Sequence, residues 1–183
     1  MSSRTDLAIL RSKTTVMLLS HFHSRRPVQV QPTDTAAVTD GRKLTLLSMS
    51  SVDALMGTVF IPVAHRDTPS DLPYYTLAVH GEPNTVLARL HDGQVRVLPL
   101  KALVSDRMSA EPLIVRIAQS KMQGAVLLQG ARSGWYLRGS GKSGVIDSAE
   151  NPLAHEHWIL SAVEPADRNG PVVQFAADKR LFL

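Results

Sequence analysis

Two His-x-His pairs, His21-Phe22-His23 and His155-Glu156-His157, are the most suggestive chemical groups in this sequence. On an extended strand, residues i and i+2 point to the same side, so each pair could bring two imidazoles to one ion, and both together could complete a zinc or copper site. The plainer reading, ordinary surface or half-buried histidines, is the one expected here, with neither metal nor cofactor. Gly139-Ser140-Gly141-Lys142-Ser143 ends like a phosphate-binding loop, but the position where that loop needs its earlier glycine is Tyr136, and no strand-to-helix context surrounds it. A hairpin loop accounts for it.

Serine, histidine and aspartate are plentiful, yet no Gly-x-Ser-x-Gly elbow occurs. Asp147 with Glu150, or Asp34 with Asp40, could be nominated as paired carboxylates. Closeness in sequence does not show the shared burial that separates two acidities, and solvated loops explain both pairs. Trp135 and Trp158 could form a sugar-stacking platform or pack in the core; packing is favoured, because repeated Gln-x-Trp lectin signatures are missing. No catalytic residue is assigned, no binding residue can be named, and no enzyme is expected.

The elements that must position these residues are strands. Three stretches share one pattern: residues 15–19, 28–30 and Val38; then 59–63, 74–77 and 86–87; then 125–128, 135–137 and 145–146. With Val30, Leu77 and Leu137 taken as equivalent, the next anchor follows after 8, 9 and 8 residues, so local spacing holds while the long gaps vary. Each copy is followed by a further apolar run, at 44–49, 113–117 and 158–163. Asp40-Gly41 and Asp92-Gly93 each divide two such runs, and Asp-Gly supplies the positive φ values of a tight type I′ hairpin turn. Residues 100–111 suggest one or two helical turns inserted in the second copy. Other breaks at 66–73, 81–84, 139–144 and 164–171 are turns and loops.

About twelve antiparallel strands in three pseudo-repeats can bury their apolar faces by closing six strands into a barrel capped by three hairpins. The expected fold is therefore all-β, a β-trefoil at 14–163, with an N-terminal arm at 1–13 and a C-terminal extension at 164–183 that could add a strand or dock on a partner. A β-sandwich is the alternative, but it does not explain threefold recurrence.

The bulk properties agree. A chain of 183 residues, 44% hydrophobic and 20% charged, suits one folded domain whose stability comes from packing, because it has no cysteine for disulfides or thiolate chemistry. The net charge of +4 is dispersed, so nucleic acid is not the expected partner; an acidic protein surface or anionic polysaccharide would satisfy it equally. No run reaches the 18 apolar residues of a membrane helix, and the first eleven residues lack the apolar core of a secretory signal, which leads to an expectation of cytoplasmic location or leaderless secretion.

Two segments resemble the interleukin-1 family of cytokines. Phe60-Ile61-Pro62-Val63-Ala64, followed by residues 75–79 and 82–90, is similar to that family's proline-valine strand and the two strands after it. Residues 113–118 and 125–137, ending Gly134-Trp135-Tyr136-Leu137, resemble its stretch in which a strand ending in small residues meets a Gly/Asn-Trp-aromatic pair. The chain departs from the family at Leu128-Gln129-Gly130-Ala131, and Gly134-Trp135-Tyr136-Leu137-Arg138 is also similar to the repeats of fascin-like trefoils. The interleukin-1 resemblance implies a leaderless, non-enzymatic ligand of immunoglobulin-like receptors, with loops such as 66–73, 91–94 and 139–144 forming the contact. Two other readings stay open: an accessory subunit of a larger assembly whose tails clamp its neighbours, and a carbohydrate-binding or protease-inhibiting trefoil.

Overall fold

The computed structural model describes residues 15–31, 41–47, 57–64, 74–82, 84–104, 110–131, 134–140, 143–164 and 174–175. Their strands, in chain order, are β1 (Thr15–Ser20), β2 (Val28–Val30), β3 (Arg42–Leu46), β4 (Phe60–Ala64), β5 (Tyr75–Val79), β6 (Thr85–Leu90), β7 (Val95–Pro99), β8 (Ala110–Pro112), β9 (Ile114–Gln119), β10 (Val126–Gly130), β11 (Tyr136–Gly139), β12 (Ile146–Ala149), β13 (His157–Glu164) and β14 (Gln174–Phe175). One short helix, α1 (Leu100–Val104), lies between β7 and β8.

Six strands close on themselves. β1 pairs with β13 and β4, β4 with β5, β5 with β9, β9 with β10, and β10 returns to β13, all antiparallel. Closure pairs each of these six strands on both sides, which limits the open edge that could template the addition of another chain. The remaining strands form hairpins β2–β3, β6–β7 and β11–β12. Each hairpin touches both others, through the β3–β7 ladder and the bridges Thr45–Val145 and Gln94–Asp147. Two strands lie outside this scheme: β8 adds to β6, and β14 pairs with β13 through Val163–Phe175 and Glu164–Gln174.

Alternation with period two sorts the side chains. Tyr75, Leu77 and Val79 of β5 are buried, as are Trp158, Leu160 and Ala162 of β13, and all join the main core. The opposite faces of β1 and β13 are buried as well, because Met17, Leu19, Ile159 and Val163 pack with Val59 in a second cluster. Gly57 permits this cover: a Cβ there would stand 2.6 Å from the Pro27 ring.

Three expectations need correction. Leu77 is not equivalent to Val30 and Leu137, because it lies on barrel strand β5, paired on both sides, while Val30 and Leu137 lie on hairpin strands. The run at 44–49 is likewise not a fourth strand; its β3 portion pairs with β2, and β4 follows into the barrel. The Asp92-Gly93 hairpin is present, but only Gly93 has positive φ (85°), and its N–H donates to Leu90 O at 2.9 Å. That is a turn closed by a left-handed glycine rather than type I′, with the Asp92 carboxylate accepting from Gln94 N–H at 3.0 Å. Val38, the run before Asp40-Gly41, Asp40 itself, the arm at 1–13 and the loop 66–73 lie outside the described residues, as do residues 164–183 apart from 164 and 174–175.

Candidate functional site

His21, Phe22 and His23 sit in the turn that follows β1, not on a strand, and His155 and Glu156 lie in the turn before β13. The same-side argument for each pair therefore fails. The backbone of 20–26 is pinned instead by Ser20: its N–H donates to Arg26 O and its carbonyl accepts from Arg25 N–H, both at 2.9 Å. This reversal forces Ser24 (φ 51°) and Arg25 (φ 63°) into the left-handed region, where neither side chain is comfortable. Two consecutive strained residues persist only where surrounding structure over-determines them, and such positions concentrate at functional surfaces.

His157 ties three segments together. It is 5% exposed, with Nε2 2.7 Å from Leu153 O and Nδ1 2.7 Å from Ser120 Oγ. A carbonyl can only accept, so Nε2 carries the proton and the Ser120 hydroxyl donates to Nδ1. The His157 backbone carbonyl accepts from His21 N–H at 3.0 Å. Buried Glu156 holds the neighbouring loop by accepting from Leu153 N–H at 2.8 Å. Met122 N–H donates to Ser120 Oγ at 2.8 Å, so the β9–β10 turn, the 150–156 loop and the turn after β1 share one buried hub.

These three segments carry Phe22 (55% exposed), Met122 (42%) and Leu153 (73%), three of the five large exposed hydrophobic side chains among the described residues. Beside them His21, Ser24, Arg25, Gln123, Gly124 and Ile159 line a cleft of about 500 Å³. The Arg25 guanidinium has no hydrogen-bond or ionic partner among the described residues.

The structure also joins one histidine from each pair. His155 Nδ1 lies 3.2 Å from His23 Nε2, and His23 Nε2 lies 3.3 Å from Gly139 O. The two rings stack at 5.1 Å with an interplanar angle of 20°, and Phe22 meets His155 edge-on at 4.3 Å. Partial burial lowers the His23 pKa from its ordinary value; the Gly139 hydrogen bond opposes this, and His155 and Arg26 add to it.

Other nominated residues are committed elsewhere. Asp147 accepts two hydrogen bonds from Arg138, each 2.7 Å, which raise the guanidinium pKa further, while Glu150 is exposed. Trp158 is fully buried and donates to Leu137 O at 2.9 Å; Trp135 is 5% exposed, with Arg89 5.5 Å from its ring. A sugar-stacking platform from these two indoles is thereby overturned. Asp34, Asp40, Gly141 and Lys142 lie outside the described residues. Phe22, Arg25, Met122 and Leu153 were not nominated from sequence; the available signal was isolated large or charged side chains inside turn segments.

No family model matches the chain, and no curated protein matches it in sequence. Among solved structures it is similar to a salivary protein from Culex quiquefasciatus of the Cysteine and Tryptophan-Rich family (12% identity, TM-score 0.56, covering 81% of this chain and 92% of that one). It is also similar to the SDF2-like protein from Arabidopsis thaliana (13%, 0.52, 80% and 92%) and to ThreeFoil, a designed 3-fold symmetric protein (16%, 0.51, 80% and 96%). At such identities the likeness is one of fold, a barrel of the β-trefoil type. It lends nothing to the interleukin-1 assignment. No helix among the described residues is long and apolar enough to cross a membrane.

Proposed function

We propose that this chain is a non-enzymatic protein-recognition module built as a pseudo-threefold β-trefoil. The order barrel strand, hairpin, barrel strand recurs as β1 to β4, β5 to β9 with an insertion of α1 and β8, and β10 to β13. A closed barrel makes a rigid platform, so recognition falls to the turns it holds. The observation that carries the reading is that the three segments bound to His157 each expose one large hydrophobic side chain, Phe22, Met122 or Leu153, and that Arg25, without a side-chain partner among the described residues, lies on the first of them. Exposed aromatic, methionine and arginine side chains on a pre-ordered surface are the composition that protein interfaces enrich.

An immunoglobulin-like receptor is the narrower form of this reading, supported by the interleukin-1-like segments alone. Part of that resemblance has a packing explanation: Gly134 turns the chain at positive φ and Trp135 fills the main core. A second reading, binding of an acidic saccharide, is favoured by the Arg25 and His21 cleft.

The deciding experiment presents the immobilised chain to a panel of immunoglobulin-like ectodomains and to a glycan array, alongside a Phe22→Ser/Leu153→Ser variant and an Arg25→Ala variant. Ectodomain binding that is lost with the double variant supports the receptor form. Glycan binding that survives the double variant and is lost with Arg25→Ala replaces it with the saccharide reading. Silence on both arms removes both specific forms.

A further inference from the structure

We infer that His23 and His155, assisted by the carbonyl of Gly139, form a binding site for a divalent cation of the zinc and copper type. This does not rest on the recognition reading and survives or fails independently of it.

Two imidazole nitrogens bound to one tetrahedral ion, each about 2.0–2.1 Å from it, stand about 3.3 Å apart. His23 Nε2 and His155 Nδ1 are 3.2 Å apart, and Gly139 O is 3.3 Å from His23 Nε2. These separations match two edges of such a coordination polyhedron. Without metal, one hydrogen on His23 Nε2 is shared between Gly139 O and His155 Nδ1, since the carbonyl can only accept. An ion would take that hydrogen's place, with the His23 ring proton moving to Nδ1 and His155 keeping its own on Nε2.

The surroundings suit a ligand pair. His23 is held by a backbone that Ser20 closes from both sides, and the His155 carbonyl accepts from Gly139 N–H at 3.1 Å, so all three donors belong to one hydrogen-bonded unit. Phe22 packs edge-on against both imidazoles, at 5.1 and 4.3 Å, and screens one side from water. Among the described residues no third histidine or carboxylate closes on the pair, so the remaining positions are left to water or to a partner's side chain. Two imidazoles and an oxygen suit zinc and copper, and the divalent series places copper tighter.

The test is calorimetric titration of the chelator-stripped full chain with Zn²⁺ and with Cu²⁺ near neutral pH, with the thermal midpoint followed in parallel. One ion per chain is expected, with a rise in the midpoint, tighter binding of copper, and a loss of affinity of about tenfold or more in His23→Ala and in His155→Ala. His91→Ala, removing an exposed histidine, serves as the control and should bind as the unaltered chain does. His23→Gln provides a second variant that keeps a hydrogen-bonding side chain, and it should fold normally and still lose the ion. Copper bound to the unaltered chain should show the electron-spin signature of two imidazole nitrogens. Absence of saturable binding, or equal affinity in the unaltered chain and His23→Gln, would overturn the assignment.

Discussion

Gly130 and Trp135 occupy one space: a Cβ at position 130 would stand 2.7 Å from Cζ2 and Nε1 of the Trp135 indole, and closer still to Cε2. The two residues are also joined by the Gly130 N–H donating to Trp135 O at 2.7 Å. The bend from β10 into β11 therefore needs both the missing side chain and the ring that replaces it.

Gly130→Ala should be destabilising by about 1–3 kcal/mol, the usual cost of forcing atoms into a filled core. Chemical denaturation followed by near-ultraviolet circular dichroism reports both the stability loss and the displaced indole. An unchanged denaturation midpoint would show that the ring can yield.

Trp158→Phe removes the donor to Leu137 O and opens space at the centre of the barrel. The stranded carbonyl and the small cavity together predict a loss of about 2–4 kcal/mol. Equilibrium unfolding in urea is the appropriate measurement.

Backbone strain in the turn after β1 gives the opposite sign. Ser24→Gly should raise stability, by less than about 1 kcal/mol, because glycine accepts φ near 51° without a Cβ penalty although it costs chain entropy. Gly81→Ala supplies the converse: its φ is 81° and nothing lies within 4 Å of the added methyl, so a loss of about 1 kcal/mol would be a backbone effect alone.

His23 sets a pH dependence in chelator-treated protein. Its folded pKa lies below the unfolded value of about 6.5, so the unfolded chain binds more protons between the two. The contribution is fully present above the unfolded value and is lost as pH falls through the folded one. His23→Gln should flatten that part of the stability profile; an identical profile in the variant would exclude His23 as the responsible group.

Much of the strand content was legible. Runs such as residues 75–79 and 114–119 carry the period of a half-buried strand, and Asp92-Gly93 marks a reversal because glycine alone relaxes at positive φ. What could not be read was the role of each strand. Leu77 and Leu137 look alike locally and reach the same core, yet one lies on a barrel strand and the other on a hairpin strand, a difference set by strand partners remote in sequence.

The candidate site shows the same division. The histidine pairs drew notice by type and spacing, but their pairing runs crosswise, from His23 to His155 over 132 residues. Sequence by itself determined which residues are apolar, where the chain must turn, and that no thiol chemistry is available. Tertiary structure alone decided that β13 closes the barrel between β1 and β10, and so which turns meet around His157. Local periodicity dictates the face a side chain prefers, whereas neighbours across a closed sheet are chosen by the packing of the whole chain.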